Sequence, residues 1–264
     1  MITFEKDRST LLDYIYRQYN TDFTFGLHFH DSFELLYVEE GEIAVTIEKD
    51  KYVVKKGNGL LILPKQIHSY HTENHSKIFI LIFGSSYVAK YNKQALLYTA
   101  KKPFFEIQRP EEVIEILKKS CNNYLLKSVL YYIVYLYTEG SERIKRDEKY
   151  NILMQNVFTY VEENYQKEIN LKSLAKDLGY DYHYFSSIIN TDLGTNFSSF
   201  LNEFRINKVC ELMVDDSSTS ISDLAYGCGY KSLRTFNRNF IEIKKMTPTE
   251  YRQKLINEWF IFFR

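Results

Sequence analysis

The chain has 264 residues, of which 45% are hydrophobic and 26% are charged; this length and composition are typical of two globular domains rather than a disordered protein. Its three cysteines are widely spaced and form no Cys-x-x-Cys pair, which excludes a disulfide framework and a cysteine zinc site. The formal net charge is zero, no signal-peptide pattern is present, and the longest apolar run, residues 129–137, is too short for a membrane span. We therefore expect a cytoplasmic protein without a membrane partner.

Residues 23–83 predict a series of short strands. Apolar and polar side chains alternate from Phe23 to His30, the period of two that a half-buried strand requires. Five further β-rich segments follow (FELLYV, IAVTIE, YVVKK, LLILP and KIFILIF), with turn residues between them. Strands at this short and regular spacing favour a sandwich or a small β-barrel.

The apolar period becomes helical from Pro110 onward. It predicts two helices behind the barrel, the second of which is apolar over much of its circumference. Such a helix needs more than one surface to bury it, so we expect a homodimer. Residues 141–150 are charged and nearly free of apolar side chains, and we interpret them as a linker. The predicted domains are therefore 1–140 and 151–264.

Two segments of the second domain, 169–189 and 221–240, repeat one plan. Each predicts a short helix that ends at a glycine (Gly179 or Gly229), a tight turn and a second amphipathic helix. The predicted N-caps of these four helices are Asn170, Asp181, Ser220 and Ser232. A continuous amphipathic pattern over 196–213 predicts a linking helix. The fold class is thus α+β, with a barrel and two rear helices followed by an all-α domain of two helix-turn-helix units.

The second of these units, continued to Arg252, resembles the C-terminal signature of the AraC/XylS family of transcription regulators. The matching residues are Ile221, Ala225, Gly229, Tyr230, Phe236, Arg238, Phe240, Thr247, Pro248, Tyr251 and Arg252. The first unit matches through Leu174, Ala175, Gly179, Gly194 and Phe197. The chain departs from the family at Lys245, where glycine is usual, and at Ser187 and Asn190, where Arg and Lys are common. The resemblance implies binding to double-stranded DNA and contact with RNA polymerase at activated promoters.

The resemblance also implies which side chains face DNA. In the second unit they are Lys231, Ser232, Leu233, Arg234, Asn237, Arg238, Lys244, Lys245 and Arg252, and in the first unit Tyr182, His183, Ser186 and Ser187. Arg suits guanine, Asn adenine and Leu a thymine methyl group, whereas Lys231, Lys244, Lys245 and Arg252 suit phosphates. Residues 150–223 contain 5 basic and 11 acidic side chains, but residues 224–264 contain 8 basic and 3 acidic ones. A polyanion is therefore attracted mainly to the second unit.

A second resemblance lies in the barrel. His28, His30 and Glu34, followed after six residues by Gly41, match the first motif of the cupin barrel, and the segment from Pro64 to His68 resembles the second motif with its histidine one place early. N-terminal domains of AraC-type regulators often look like this, which implies that residues 1–140 bind a small-molecule effector, with a sugar as one candidate, and dimerise. The predicted effector-binding residues are Phe25, His28, His30, Glu34, Tyr37, His68 and Tyr70.

Two interpretations of the histidines stay open. With Glu34 and either His68 or His71, they would supply three nitrogens and one oxygen to a metal ion, as in cupin enzymes. Alternatively, they are pocket or packing groups without metal. The upstream glycine of the cupin motif is missing and one histidine is displaced, so we favour the second interpretation. We accordingly predict no metal, no cofactor and no catalytic residue.

The predicted function is sequence-specific transcription regulation in response to a small molecule, with activation favoured over repression. The alternatives are a metal-dependent cupin enzyme with an accessory helical domain, and a ligand-independent DNA-binding protein with a vestigial barrel. The last six residues, 259–264, are strongly apolar. We expect them to dock on the helical domain or to form an interdomain or dimer contact.

Overall fold

The computed structural model describes residues 14–119, 122–192, 196–215 and 218–262, except for the side chains of 192, 214, 215 and 256–262. Residue contacts divide the chain into two compact units, the first ending at Gln155 and the second running from Asn156 onward. The first unit is rich in strands and the second is helical, which confirms the predicted α+β class. Within the described ranges, no helix is long and apolar enough to cross a membrane.

Eight of the ten described strands of the N-terminal compact unit form antiparallel sheets that share one long strand, and the other two pair with each other. They are β1 (Ile15–Thr21), β2 (Phe25–His28), β3 (Phe33–Ile47), β4 (Asp50–Lys55), β5 (Asn58–Ile62), β6 (His68–His71), β7 (Ser76–Phe83), β8 (Tyr98–Ala100), β9 (Phe104–Glu106) and β10 (Arg143–Lys145). One sheet has the order β1-β7-β3-β5-β9. The C-terminal part of β3 instead pairs with β4 and β6, and β6 pairs with β2. Because β3 belongs to both layers, it connects the two walls of the barrel.

The two faces of β3 pack in different environments. Leu36 and Val38 point into the barrel, where they meet apolar side chains of β5 and β7. Phe33, Leu35 and Tyr37 point outward and contact helices α1 (Ala89–Ala95), α2 (Pro110–Lys118) and α3 (Asn123–Glu139). Successive side chains of a strand point to opposite faces, so one strand supplies both cores. Helices α2 and α3 are the predicted rear helices, and their existence is confirmed.

The segment 141–150, predicted to be a linker, is built into the first unit. Strand β10 pairs with β8, and α4 (Glu148–Asn164) begins within the segment. The buried Arg146 donates from Nη1 to the carbonyl oxygens of Pro64 (3.0 Å) and Ala95 (2.9 Å). Backbone pairing and a buried arginine fix this segment without apolar side chains. The absence of hydrophobic residues was therefore a misleading sign of a linker.

The second unit contains the two predicted helix-turn-helix units. Its further helices are α5 (Leu171–Asp177), α6 (Tyr182–Asp192), α7 (Phe197–Asp215), α8 (Ile221–Gly227), α9 (Leu233–Lys244) and α10 (Pro248–Phe262). Helices α5 and α6 form the first helix-turn-helix unit, α8 and α9 form the second one, and α7 is the linking helix. Val209 of α7 is fully buried with Phe236 and Phe240 of α9, so the linking helix packs against the second helix-turn-helix unit. The side chains of 259–264 lie outside the described residues.

The helix ends follow the local sequence signals. The side chains of Asn170, Asp181, Ser220 and Ser232 each accept a hydrogen bond from the backbone N–H three residues later, at 3.0, 3.0, 3.0 and 3.3 Å. Gly179 and Gly229 adopt left-handed φ values of 77° and 86°. A Cβ atom on Gly229 would lie 2.7 Å from the carbonyl oxygen of Tyr165, so this turn excludes any side chain. All six predicted end residues have the expected conformation.

Candidate functional site

Helix α9 presents a polar face to solvent. Arg234, Asn237 and Arg238 are all exposed, whereas Phe236 and Phe240 on the opposite side are fully buried. Positions three and four apart share one face of a helix, so the three polar side chains lie next to each other. Their donors and acceptors match the edges of guanine and adenine in a major groove. The face is therefore chemically suited to reading duplex DNA.

The cationic residues predicted to contact phosphate have different environments. Lys231 is exposed and forms an ion pair with Glu168 at 2.5 Å. The amino group of the half-buried Lys244 donates to Oδ1 of Asn207 at 2.8 Å. Lys245 is exposed and ends α9 with a left-handed φ of 59°, which explains why the family usually has glycine at this position.

Arg252 differs from these lysines. Its Nε and Nη2 atoms are buried and have no hydrogen-bond partner among the described residues. A guanidinium group oriented in this way does not offer these two donors to a phosphate at the surface. The structure thus argues against the predicted phosphate contact of Arg252.

The corresponding helix of the first helix-turn-helix unit, α6, has an exposed face without positive charge. Tyr182, His183 and Ser187 are exposed and Ser186 is half-buried. Tyr184, which the sequence analysis did not select, is 59% exposed. Any base contact here would depend on hydroxyl and imidazole groups.

The strand-rich N-terminal compact unit contains a buried cluster of three histidines and a glutamate. Strands β2 and β6 pair so that His28 lies directly opposite His68, with their ring centroids 3.9 Å apart. His30 and Glu34 stand on either side of the turn into β3, and Nε2 of His30 lies 2.8 Å from Oε2 of Glu34. Nε2 of His68 lies 3.4 Å from the same oxygen. Each of the four residues is at most 4% exposed.

Backbone carbonyls orient all three imidazole rings. Nδ1 of His28, His30 and His68 lies 2.9, 3.0 and 2.8 Å from the carbonyl oxygens of Gly26, Ser32 and Gln66, respectively. A carbonyl oxygen can only accept, so each Nδ1 carries the proton and donates it. This places Nε2 of His30 and of His68 toward the carboxylate of Glu34.

Burial and charge set the protonation states of this cluster. Burial, followed by the charge of His68, lowers the pKa of His28 well below its usual value. Burial by itself would raise the pKa of Glu34, but hydrogen bonds from His30 and His68 outweigh it and hold that pKa well below its usual value. The hydroxyl group of Tyr70 donates to Oε1 of Glu34 at 2.6 Å, and burial raises the pKa of Tyr70 well above 10.0. The cluster therefore contains a carboxylate held by a protonated phenol.

Most of the predicted effector-binding residues meet here. The ring of Phe25 packs edge-on against His28 with a centroid distance of 4.4 Å. Tyr37 is the exception, because it lies three residues after Glu34 on the same strand and so faces the rear helices. His71 is exposed and its Nδ1 contacts Thr24 instead. Of the two histidines that the sequence left open, His68 is the one in the cluster.

The fold and these two sites define a helix-turn-helix regulator with an N-terminal ligand-binding barrel. Residues 13–148 match the AraC-like ligand binding domain family, and residues 174–254 match a helix-turn-helix domain family. The chain belongs to the AraC family of transcription regulators. Members of this family are not enzymes, so the prediction of a regulator rather than a cupin enzyme is confirmed.

Relatives and solved structures agree with this assignment. The chain is 23% identical over 234 residues to the HTH-type transcriptional regulator SAS0078 of Staphylococcus aureus, covering 82% of this chain and 31% of that protein. It is 26% identical over 110 residues to the regulator YtdP of Bacillus subtilis, covering 42% of this chain and 14% of that one. The chain thus spans less than a third of the length of either relative. The structure of ToxT from Vibrio cholerae has a similar fold, with a TM-score of 0.54, 15% identity and coverage of 90% of this chain and 96% of that one.

Proposed function

We propose that the protein is a cytoplasmic, sequence-specific transcription regulator that responds to a small molecule. The observation that carries the proposal is the exposed face of α9, on which Arg234, Asn237 and Arg238 lie together. Each good bidentate contact between such a side chain and a base contributes about 1–3 kcal/mol of discrimination. Three adjacent groups of this kind are therefore enough to select a short sequence.

The second helix-turn-helix unit dominates affinity in this proposal. Lys231 and Lys245 are exposed on either end of α9, where they can contact phosphates. The partner of Lys231 is Glu168, and this exposed ion pair can be exchanged for a DNA phosphate without burying a charge. Helix α6 has no lysine or arginine at all, so the first helix-turn-helix unit contributes mainly shape complementarity to the DNA and the register of the protein on it.

The barrel is the proposed sensor. Five of the predicted effector-binding residues form one buried cluster, against which the half-buried ring of Phe25 packs; the five are His28, His30, Glu34, His68 and Tyr70. Buried polar groups with fixed geometry are the usual means by which a protein recognises a small ligand. A ligand that binds one arrangement of the protein more tightly shifts the population toward it, which is how the signal would be transmitted.

Homodimerisation is the proposed role of the rear helix α3. Tyr124, Leu125, Tyr131 and Tyr135 are 85%, 45%, 37% and 58% exposed on this helix. Three of them recur at intervals of seven and four residues, which places them along one stripe as in a helix–helix seam. The occupant of this stripe is a second copy of the chain. Each chain of the dimer would place its two recognition helices in successive major grooves, about 34 Å apart, with RNA polymerase as the partner at activated promoters.

DNA binding is tested with the full chain and a random duplex library. Selection first identifies the preferred sequence, and fluorescence anisotropy then measures its affinity for wild type and Arg238→Ala. We expect the substitution to weaken binding by about 1–3 kcal/mol. Lys93→Ala is the matched control, because it removes the same charge from an exposed position of α1 in the other unit. Equal affinities of all three proteins, or no selectable sequence, would refute the proposed function.

A further inference from the structure

The geometry points to a site for a divalent transition-metal ion formed by His28, His30, Glu34 and His68. This inference rests on one part of the proposed function, namely that the barrel is the sensor. It adds the class of ligand that this sensor binds. Within the described ranges, this is the one group of three or more His, Cys, Asp or Glu side chains close enough to share an ion. The sequence motif alone favoured the opposite interpretation.

The distances fit a metal ion without rearrangement of the backbone. One potential ligand atom from each of the four residues lies within 4.8 Å of all the others. With bonds of about 2.1 Å, ligand atoms at right angles are about 3.0 Å apart, those at a tetrahedral angle about 3.4 Å, and opposite ones about 4.2 Å. Glu34 Oε2 lies 2.8 Å from Nε2 of His30 and 3.4 Å from Nε2 of His68. Both distances are close to the separations expected for two ligands of one ion.

The hydrogen bonds around the cluster are those that prepare histidines for a metal. All three Nδ1 atoms are held by backbone carbonyl groups, which fixes the ring orientation and the tautomer and leaves Nε2 as the ligand atom. Tyr70 holds the second oxygen of Glu34 and orients the carboxylate in the same way. Three independent strands or turns contribute these anchors. A cluster selected only for packing would not need the same tautomer at every ring.

The ligand set selects the class of ion. Three imidazole nitrogens and one carboxylate oxygen suit zinc, iron, cobalt, nickel and copper, whereas magnesium and calcium prefer oxygen ligands. The two departures from the cupin motif do not prevent the arrangement. His68, although one place early in sequence, is brought opposite His28 by the register of β2 and β6.

The test uses the untagged full chain with zinc chloride and with cobalt chloride as probes. After dialysis, elemental analysis gives the metal content, and visible absorption of the cobalt form reports its ligands. We expect one ion per chain in wild type and loss of affinity by at least ~10-fold in His30→Ala and Glu34→Gln. Glu34→Gln keeps the shape of the side chain, so it remains informative where the alanine variant fails to fold. Circular dichroism checks folding.

The matched control removes every other histidine of the chain. The triple variant His71→Ala, His75→Ala and His183→Ala leaves only the cluster histidines. It should bind one ion as tightly as wild type and give the same cobalt spectrum. Absence of bound metal in wild type, or unchanged binding in Glu34→Gln, would overturn the inference.

The same samples separate this inference from the proposed function. DNA affinity is measured by anisotropy on the metal-free and the metal-loaded protein. Wild type that binds DNA but no metal overturns only the metal site. Wild type that binds one ion at the cluster but selects no DNA sequence overturns only the regulator function.

Discussion

Gly229, which lies two residues after the end of α8, offers the sharpest test of the packing between helices. In Gly229→Ala, a Cβ atom would lie 2.7 Å from the carbonyl oxygen of Tyr165 and 2.8 Å from that of Gln166. Both obstacles are backbone atoms, so they cannot move aside cheaply. The left-handed φ of 86° adds about 1–2 kcal/mol for any residue with a Cβ. With about 1–3 kcal/mol for overpacking, the substitution should lower the free energy of unfolding by about 2–5 kcal/mol.

Gly179 supplies the matched control for this prediction. It ends the equivalent helix with a φ of 77°, but nothing lies within 4 Å of the position of its Cβ. Gly179→Ala should therefore cost only the left-handed conformation, about 1–2 kcal/mol. Urea unfolding followed by far-ultraviolet circular dichroism monitors the helical unit that contains both glycines. Equal destabilisation by the two substitutions would show that the close approach at Gly229 does not matter and would refute this reasoning.

Three further predictions follow from individual contacts. Ser220→Ala removes the acceptor for the N–H of Asp223 and should destabilise the helical unit by about 1 kcal/mol in the same urea titration, a cost that Ser220→Thr should avoid because it keeps the hydroxyl group. Tyr135→Glu should shift sedimentation from dimer to monomer because it charges the exposed stripe of α3; the same change at Tyr19, which is 56% exposed on β1, should leave the dimer intact, and a dimer in both variants would exclude this interface. Tyr70→Phe removes the donor to Glu34 and should weaken zinc binding ~10–100-fold in calorimetric titrations, whereas unchanged binding would show that Tyr70 does not orient the carboxylate.

Local signals allowed much of the helical unit to be predicted from sequence. A cap such as Asn170 or Ser220 acts within three residues, and a glycine such as Gly179 is needed wherever the backbone turns left-handed. The repeat of these signals in two segments then predicted two helix-turn-helix units. None of this depended on contacts between residues distant in the chain.

Predictions failed where distant contacts decide the outcome. The segment at 143–145 has no apolar pattern, yet it pairs with strand 98–100 and places Arg146 in a buried position. Arg252 was predicted to contact phosphate from its place in the family motif, but the structure buries two of its donors. Strand pairing and burial are both set by the folded chain, so composition gave no warning of either.

The candidate ligand site contains both residues that the sequence predicted correctly and one that it misplaced. The resemblance to the two cupin motifs selected His28 and His68, and the pairing of β2 with β6 places these two residues directly opposite each other. Tyr37 was misplaced because its odd spacing from Glu34 turns it outward. The common tautomer of the three histidines depends on three backbone carbonyls that no motif encodes. The sequence identified the residues of this cluster but not its chemistry.

The central claim is that the exposed face of α9 reads the base sequence of DNA. It is tested most directly by repeating the selection from the random duplex library with Arg238→Ala and comparing the selected consensus with that of wild type. We expect the variant to lose preference at one base position while the remaining positions are retained, since a base contact carries specificity locally. A consensus that is unchanged at every position would contradict the claim that this face reads DNA.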